Sequence, residues 1–380
     1  MPNKQRRTLR QAYGFDDVAI VPGDITINPD QTDIGFDLGD LHFDAPILAA
    51  AMDGVVDVKL AIELSKLGGL AVLNLEGIQT RYDDPDALLD EIATTPQTEV
   101  TALLRKAYTA PIKENLVGER IKAIKDADGI CAVSVTPQLT KKLYGVAQDA
   151  GMDVLVVQST VTTTRHISKS TRGLIFSELR EWVSTPIIVG NCVSYNVAKG
   201  LMETGITAIL VGVGPGAACT TREVLGVGVP QVTATMDCAA ARDDYFRETR
   251  RYVPLITDGG IRAGGDLCKA FACGADAVML GSILAQTAEA PGRGNHWGMA
   301  TPHGALPRGT RVKVPVNSTL QQTLFGPATV TDGTQNLLGA LQTAMGVCGA
   351  RTIADFHNVE IVIAPAIKTE GKQLQRLQGA

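Results

Sequence analysis

The chain has 380 residues, 45% hydrophobic and 20% charged, with 39 glycines; it is long enough to bury a large core and is unlike a disordered, collagen-like or low-complexity sequence. Its 35 Lys and Arg against 40 Asp and Glu leave a net charge of −5 with no long basic run, which argues against a nucleic-acid partner and leaves any anionic ligand to be held by local geometry. No apolar run approaches the roughly 18 residues of a membrane span, and the basic start MPNKQRRTLRQAYGF lacks the apolar stretch of a secretory signal, so a soluble cytoplasmic protein with no membrane partner is expected.

In chain order, apolar or β-branched runs bounded by Gly, Pro or Asp predict strands at 46–50, 70–74, 131–135, 153–158, 187–190, 207–212, 254–258 and 276–281. Between them lie helical patterns such as VDVKLAIELSKLG, TKKLYGVAQDAG, SYNVAKGLMETG and GDLCKAFACG, each ending on a glycine suited to a left-handed C-cap. Eight such units predict one α/β domain, a (β/α)8 TIM barrel. The residues beyond the roughly 250 of a bare barrel fall into four segments. These are an N-terminal arm (1–40), a helical charged insertion (76–128) expected to pack outside the barrel, an active-site loop (290–318) and a C-terminal extension (319–380).

Chemistry in such a barrel sits on the loops that follow the strands. After the sixth comes Gly212 to Arg222, a glycine-rich turn leading into Cys219 with Thr220, Thr221 and Arg222 beside it. Glycines let backbone N–H groups face an anion or a flat ring, and a thiol among such dipoles near an arginine is biased toward the nucleophilic thiolate. The plain alternative is a buried cysteine beside a tight turn. After the seventh and eighth strands stand Asp258-Gly259-Gly260-Ile261-Arg262 and Leu280-Gly281-Ser282, the usual phosphate cradle of barrel enzymes, with Asp258 placed either to accept from ribose hydroxyls or to cap the next helix.

Seven scattered cysteines without a CxxC pair, and five histidines without HxH or HxxxH spacing, indicate neither a disulfide framework nor a zinc site. Trp182 and Trp297 read as packing residues, although the polar, glycine-bounded loop Gly294 to Met299 is also of the kind that closes over a ligand.

Taken together these motifs resemble the IMP dehydrogenase and GMP reductase family. The likeness includes Phe15-Asp16-Asp17-Val18 with Val21-Pro22, Ala51-Met52-Asp53, Gly190-Asn191, the cysteine loop Gly212 to Gln231, the stretch Asp258 to Ser282, and Met345-Gly346 with Cys348 to Ile353. The resemblance implies that Cys219 attacks C2 of a purine nucleotide, GMP or IMP, with Thr221 in support. It implies that Asp258 holds the ribose, that Gly260, Gly281 and Ser282 bind the 5′-phosphate, and that Ala51, Met52, Gly216, Gly298 and Met299 surround the base. It further implies NADPH or NAD beside Gln158, Ser159, Asn191 and Gly212, a potassium ion on the carbonyls of Gly214, Gly216 and Cys219, and a homotetramer or homo-octamer.

The departures bear on direction. The family's regulatory domain is missing, Ala217 replaces a phosphate-binding serine, Gln158 replaces an aspartate, and Arg308 takes the place of an acidic residue at the purine edge. Only eight residues separate Met299 from Arg308, too few for the family's catalytic flap with its Arg-Tyr pair. Losing that general base handicaps hydrolysis most, so the first expectation is a GMP reductase, with Glu289 or Glu76 as proton donor to the leaving ammonia. The alternatives are an IMP dehydrogenase without the flap, and a purine-nucleotide-binding regulator that no longer turns over.

Overall fold

Runs that are apolar on both faces form the strands β1 (Ile47–Ala49), β2 (Leu70–Asn74), β3 (Ala132–Val135), β4 (Val154–Gln158), β5 (Ile187–Cys192), β6 (Ala208–Val211), β7 (Leu255–Asp258) and β8 (Ala277–Leu280). All are parallel and close into a barrel in the order β7-β8-β1-β2-β3-β4-β5-β6, each within two residues of its predicted ends. The structure is a computed structural model and describes residues 9–165, 173–298, 310–366 and 369–372. No helix among the described residues is long and apolar enough to cross a membrane.

Crossover helices α1 (Val58–Lys66), α2 (Pro85–Thr94), α3 (Val100–Ala107), α4 (Glu114–Lys125), α5 (Thr140–Asp149), α6 (Phe176–Trp182), α7 (Tyr195–Glu203), α8 (Thr221–Leu225), α9 (Gln231–Thr249) and α10 (Gly264–Ala272) lie between them. The expected C-terminal glycines Gly68, Gly151, Gly205 and Gly274 all have positive φ, the conformation that stops a helix and releases the chain toward the next strand.

Side chains alternate along each strand. Outward residues such as Leu73, Val133, Leu155 and Ile209 join the core under the helices, while Val72, Val156, Ile188, Leu210, Ile256 and Met279 fill the barrel. The arm expected before the first strand folds into a hairpin, Phe36–Leu38 against Leu41–Phe43, whose Phe36, Leu38 and Phe43 belong to the same interior cluster. Its turn residue Gly39 lies against Pro186 and Thr207, just ahead of β5 and β6, so the hairpin closes the amino end of the barrel.

The stretch 76–128 does more than the expected outer packing. Its helix α4 is the crossover that packs on α1 and α5, while α2 and α3 gather with Ile78, Tyr108 and the fully buried Trp297 in a separate apolar cluster.

Behind the amino ends of β7 and β8, buried Arg242 on α9 gives Nη1 to Asp276 at 3.0 Å, and Asp276 also accepts from the Tyr252 hydroxyl at 2.6 Å and the Leu255 amide at 2.7 Å. Removing the carboxylate strands a buried guanidinium. Asp276→Ala is expected to lower the unfolding free energy by about 3–5 kcal/mol, read in denaturant titrations, with KM of the folded fraction unchanged. An unaltered midpoint would refute this role.

Candidate active site

With one end of the barrel plugged, the polar residues and glycines at the strands' carboxyl ends surround a single cleft of about 760 Å³. The loop after β1 supplies Ala51 and Met52, and β4 and β5 end in Gln158, Ser159 and Asn191. The loop after β6 adds Gly212, Gly214, Gly216, Cys219 and Thr221; those after β7 and β8 add Asp258, Gly260, Gly281 and Ser282; Gly298 comes from the following segment. Apart from Arg222 and the candidate proton donor Glu289, every site residue expected from sequence that the structure describes is thus at one cavity. Met299 and Arg308 lie outside the described residues.

Cys219 is half-buried, and its Sγ donates to Thr221 Oγ1 at 3.2 Å. Thr221 has no other side-chain partner among the described residues. The other thiols are poor candidates: burial pushes Cys131, Cys268 and Cys273 up to about 12, and a hydrogen bond with Cys192 together with burial raises Cys238. The plain alternative of a buried structural cysteine therefore fits those positions and not Cys219. Arg222, the neighbouring cation expected from sequence, is held on the loop's own backbone. Its Nη2 donates to the Val229 carbonyl at 2.8 Å and its stem packs on Gly214 and Gly228, so it braces the loop.

The loop closes on its own backbone, with the Cys219 amide donating to the Gly216 carbonyl at 3.0 Å. Gly212 is required by close approach: a Cβ there would lie 2.2 Å from the Asp258 carbonyl oxygen.

Asp258 rests on the cleft floor. Pairing between β5 and β6 is irregular from Gly190 to Cys192, which takes Asn191 out of the ladder and aims its Nδ2 at Asp258 Oδ2, 2.7 Å away. Burial pushes the Asp258 carboxyl up to about 6, against a smaller downward pull from that amide.

Two further polar groups lack partners. Gln158 Oε1 is shielded from solvent without a hydrogen bond among the described residues, which fits a donor such as the carboxamide of a nicotinamide. His296 is almost fully buried, both ring nitrogens are without a partner among the described residues, and burial holds its pKa down to about 4. No spacing signal marked His296. Asn74, Glu76, Ser134 and Thr136 also line the cleft, and their position at the carboxyl ends of β2 and β3 was the available clue. Glu289, one of the two expected proton donors, is not at the cleft: its Oε2 accepts the Leu320 amide at 2.9 Å. Among the described residues no group of three or more His, Cys, Asp or Glu is arranged to hold a metal ion.

Residues 12–372 match the family model for the IMP dehydrogenase / GMP reductase domain. An uncharacterized oxidoreductase of Mycolicibacterium smegmatis is 36% identical over 94% of this chain and 98% of its own length. The inosine-5′-monophosphate dehydrogenase of Methanocaldococcus jannaschii is 27% identical over 95% and 94%. A crystal structure of an IMP dehydrogenase/GMP reductase-like protein from Corynebacterium glutamicum superimposes with a TM-score of 0.89 at 34% identity, covering 96% of this chain and 97% of the other.

The raised Asp258 pKa has a sign that can be checked. Between pH 4 and 6 the folded protein keeps a proton that the unfolded chain has released, so stability falls as pH rises through this window and stays lower at neutral pH. Asp258→Asn keeps an acceptor for Asn191 and removes the buried charge. It is expected to stabilise the protein by about 2 kcal/mol at neutral pH, an advantage that disappears in melts below about pH 4. Equal melting temperatures across the range would contradict the assignment.

Proposed function

The chain belongs to the IMP dehydrogenase / GMP reductase family of oxidoreductases, and from that premise we propose that it oxidises IMP to XMP through an adduct between Cys219 and C2 of the purine. The observation that carries this reading is the Cys219–Thr221 pair at the cleft, 3.2 Å apart, with no acid or ammonium bonded to Thr221 among the described residues.

The deprotonated sulfur adds to C2, forming the S–C2 bond. The C2 hydrogen leaves with its electron pair to a nicotinamide, NAD being reduced. Water then displaces sulfur at C2, giving the 2-oxo group, one proton and free Cys219. Asp258 fixes the nucleotide through ribose hydroxyls, the amides at Gly260, Gly281 and Ser282 take the 5′-phosphate, and Met52, Gly216 and Gly298 bound the base. Gln158, Ser159 and Asn191 hold the nicotinamide against it.

The order of proton and hydride favours oxidation over the reductive direction expected from sequence. Reduction of GMP must protonate a leaving amine before any redox step. Of its two expected donors, Glu289 is tied to Leu320, and Glu76 lines the cleft with Oε1 taken by the Thr136 amide at 2.5 Å. Oxidation of IMP starts with addition and hydride departure, for which the cleft has its nucleophile. The short stretch between Met299 and Arg308, too short for the family's catalytic flap, and the missing regulatory domain both favour the GMP reductase reading.

Assays of IMP with NAD, and of GMP with NADPH, decide between the two. We expect NADH and XMP from the first, an IMP-derived mass on Cys219 after rapid quenching, and loss of both in Cys219→Ala. Thr221→Ala is expected to slow turnover by roughly 10²-fold. Turnover of GMP with NADPH and none of IMP reverses the direction, while IMP binding without either turnover identifies a regulator.

A further inference from the structure

The helical pair α2 and α3 has no place in a minimal barrel, yet it is bonded to Trp297 and to Arg311, two ends of one stretch whose first end adjoins the cleft. At the first end, Tyr108, just beyond α3, donates its hydroxyl proton to Asp53 Oδ2 at 2.5 Å and accepts from Trp297 Nε1 at 2.7 Å. An indole N–H is only a donor, so the direction of both bonds is fixed. At the second end, Arg311 donates to the carbonyls of Ile92 and Thr95, the latter at 2.8 Å, and to Gln97 Oε1 at 3.1 Å.

Each partner of Tyr108 adjoins cleft residues. Asp53 follows Met52, and Trp297 lies between His296 and Gly298; all three neighbours line the cavity. The two backbones touch here, since a Cβ on Gly54 would lie 2.4 Å from the Asn295 carbonyl and 2.9 Å from His296 Cα. Arg81 sits over the Tyr108 ring at 5.9 Å and donates Nε to the Glu76 carbonyl at 3.0 Å, which keeps the ring in place. Trp297 is fully buried among Ile78, Leu89, Ile92 and Leu104, so its indole has no water to replace the hydroxyl.

We propose that Tyr108 is a positioning residue whose hydroxyl, bridging Asp53 and Trp297, sets the nucleotide-facing wall formed by Met52, His296 and Gly298. This rests on reading the cleft as a purine-nucleotide site. Tyr108 is remote from the reacting sulfur, so its loss acts on substrate and transition state alike and appears in KM with kcat preserved. The unpartnered imidazole of His296 is the part of this wall that a polar group of the nucleotide is free to engage.

Trp182 and Trp297 are the only tryptophans, and Trp182 is on α6, away from the cleft lining. In Trp182→Phe protein the emission of Trp297 should respond to IMP. Adding Tyr108→Phe is expected to weaken IMP binding and raise KM for IMP by roughly tenfold, with kcat within about twofold. Trp297→Phe, measured by calorimetry, should weaken binding similarly, and the double variant should be no weaker than the worse single one. Unchanged IMP affinity in Tyr108→Phe, or additive losses in the double variant, would overturn the proposal while leaving the function intact. If Tyr108→Phe does not fold, unchanged affinity in Trp297→Phe overturns it. Unmodified protein that binds neither IMP nor GMP overturns the functional reading and this one with it.

Discussion

Closure of the barrel at one end governs the rest of the molecule. A parallel sheet that buries both faces has no interior position for unpaired polar groups, and here Phe36, Leu38 and Phe43 extend the apolar filling to the amino mouth. The opposite rim alone is left for Asn74, Ser134, Gln158 and Asp258, each at the carboxyl end of its strand. The turns at Gly260 and Gly281 open onto the same rim, where the Arg262 side chain is paired with Asp16 and Asp266.

Desolvation sets the charges inside this cleft. The same burial moves two groups toward their neutral forms in opposite directions on the pH scale, Asp258 upward and His296 downward. At neutral pH the carboxylate is nevertheless ionised and the imidazole is not. An anionic phosphate must therefore keep away from the floor at β7 and seat on the outer turns, while hydroxyls, which donate, are suited to the floor.

The strands were legible because burial on both faces leaves unbroken apolar runs such as VLVVQ, and the helices because glycine ends them at a conformation other residues resist. The cysteine and cradle loops were legible because their glycines and polar residues follow strands directly. What sequence left hidden depends on contacts distant along the chain. The hairpin at 36–43 has strands of three residues, too short for an alternation signal, and becomes apolar interior only by meeting the barrel. Tyr108 and Trp297 are 189 residues apart, and although Trp297 lies in the glycine-bounded loop Gly294 to Met299, nothing local links it to Tyr108. Glu289 has the right chemistry for an acid, yet its carboxylate is committed to the Leu320 amide, a fact that only tertiary structure provides.

The cleft therefore separates two tasks onto different supports. The nucleophile belongs to the loop after β6, which is held by its own amides and by Arg222. The opposing wall belongs to the loop after β1 and the segment at 295–298, which are tied together through an insertion that minimal barrels lack. Changes in the insertion can then alter that wall without touching the sulfur. The redox direction depends on neither support. It depends on which groups reach Thr221, whose only side-chain partner among the described residues is the Cys219 thiol.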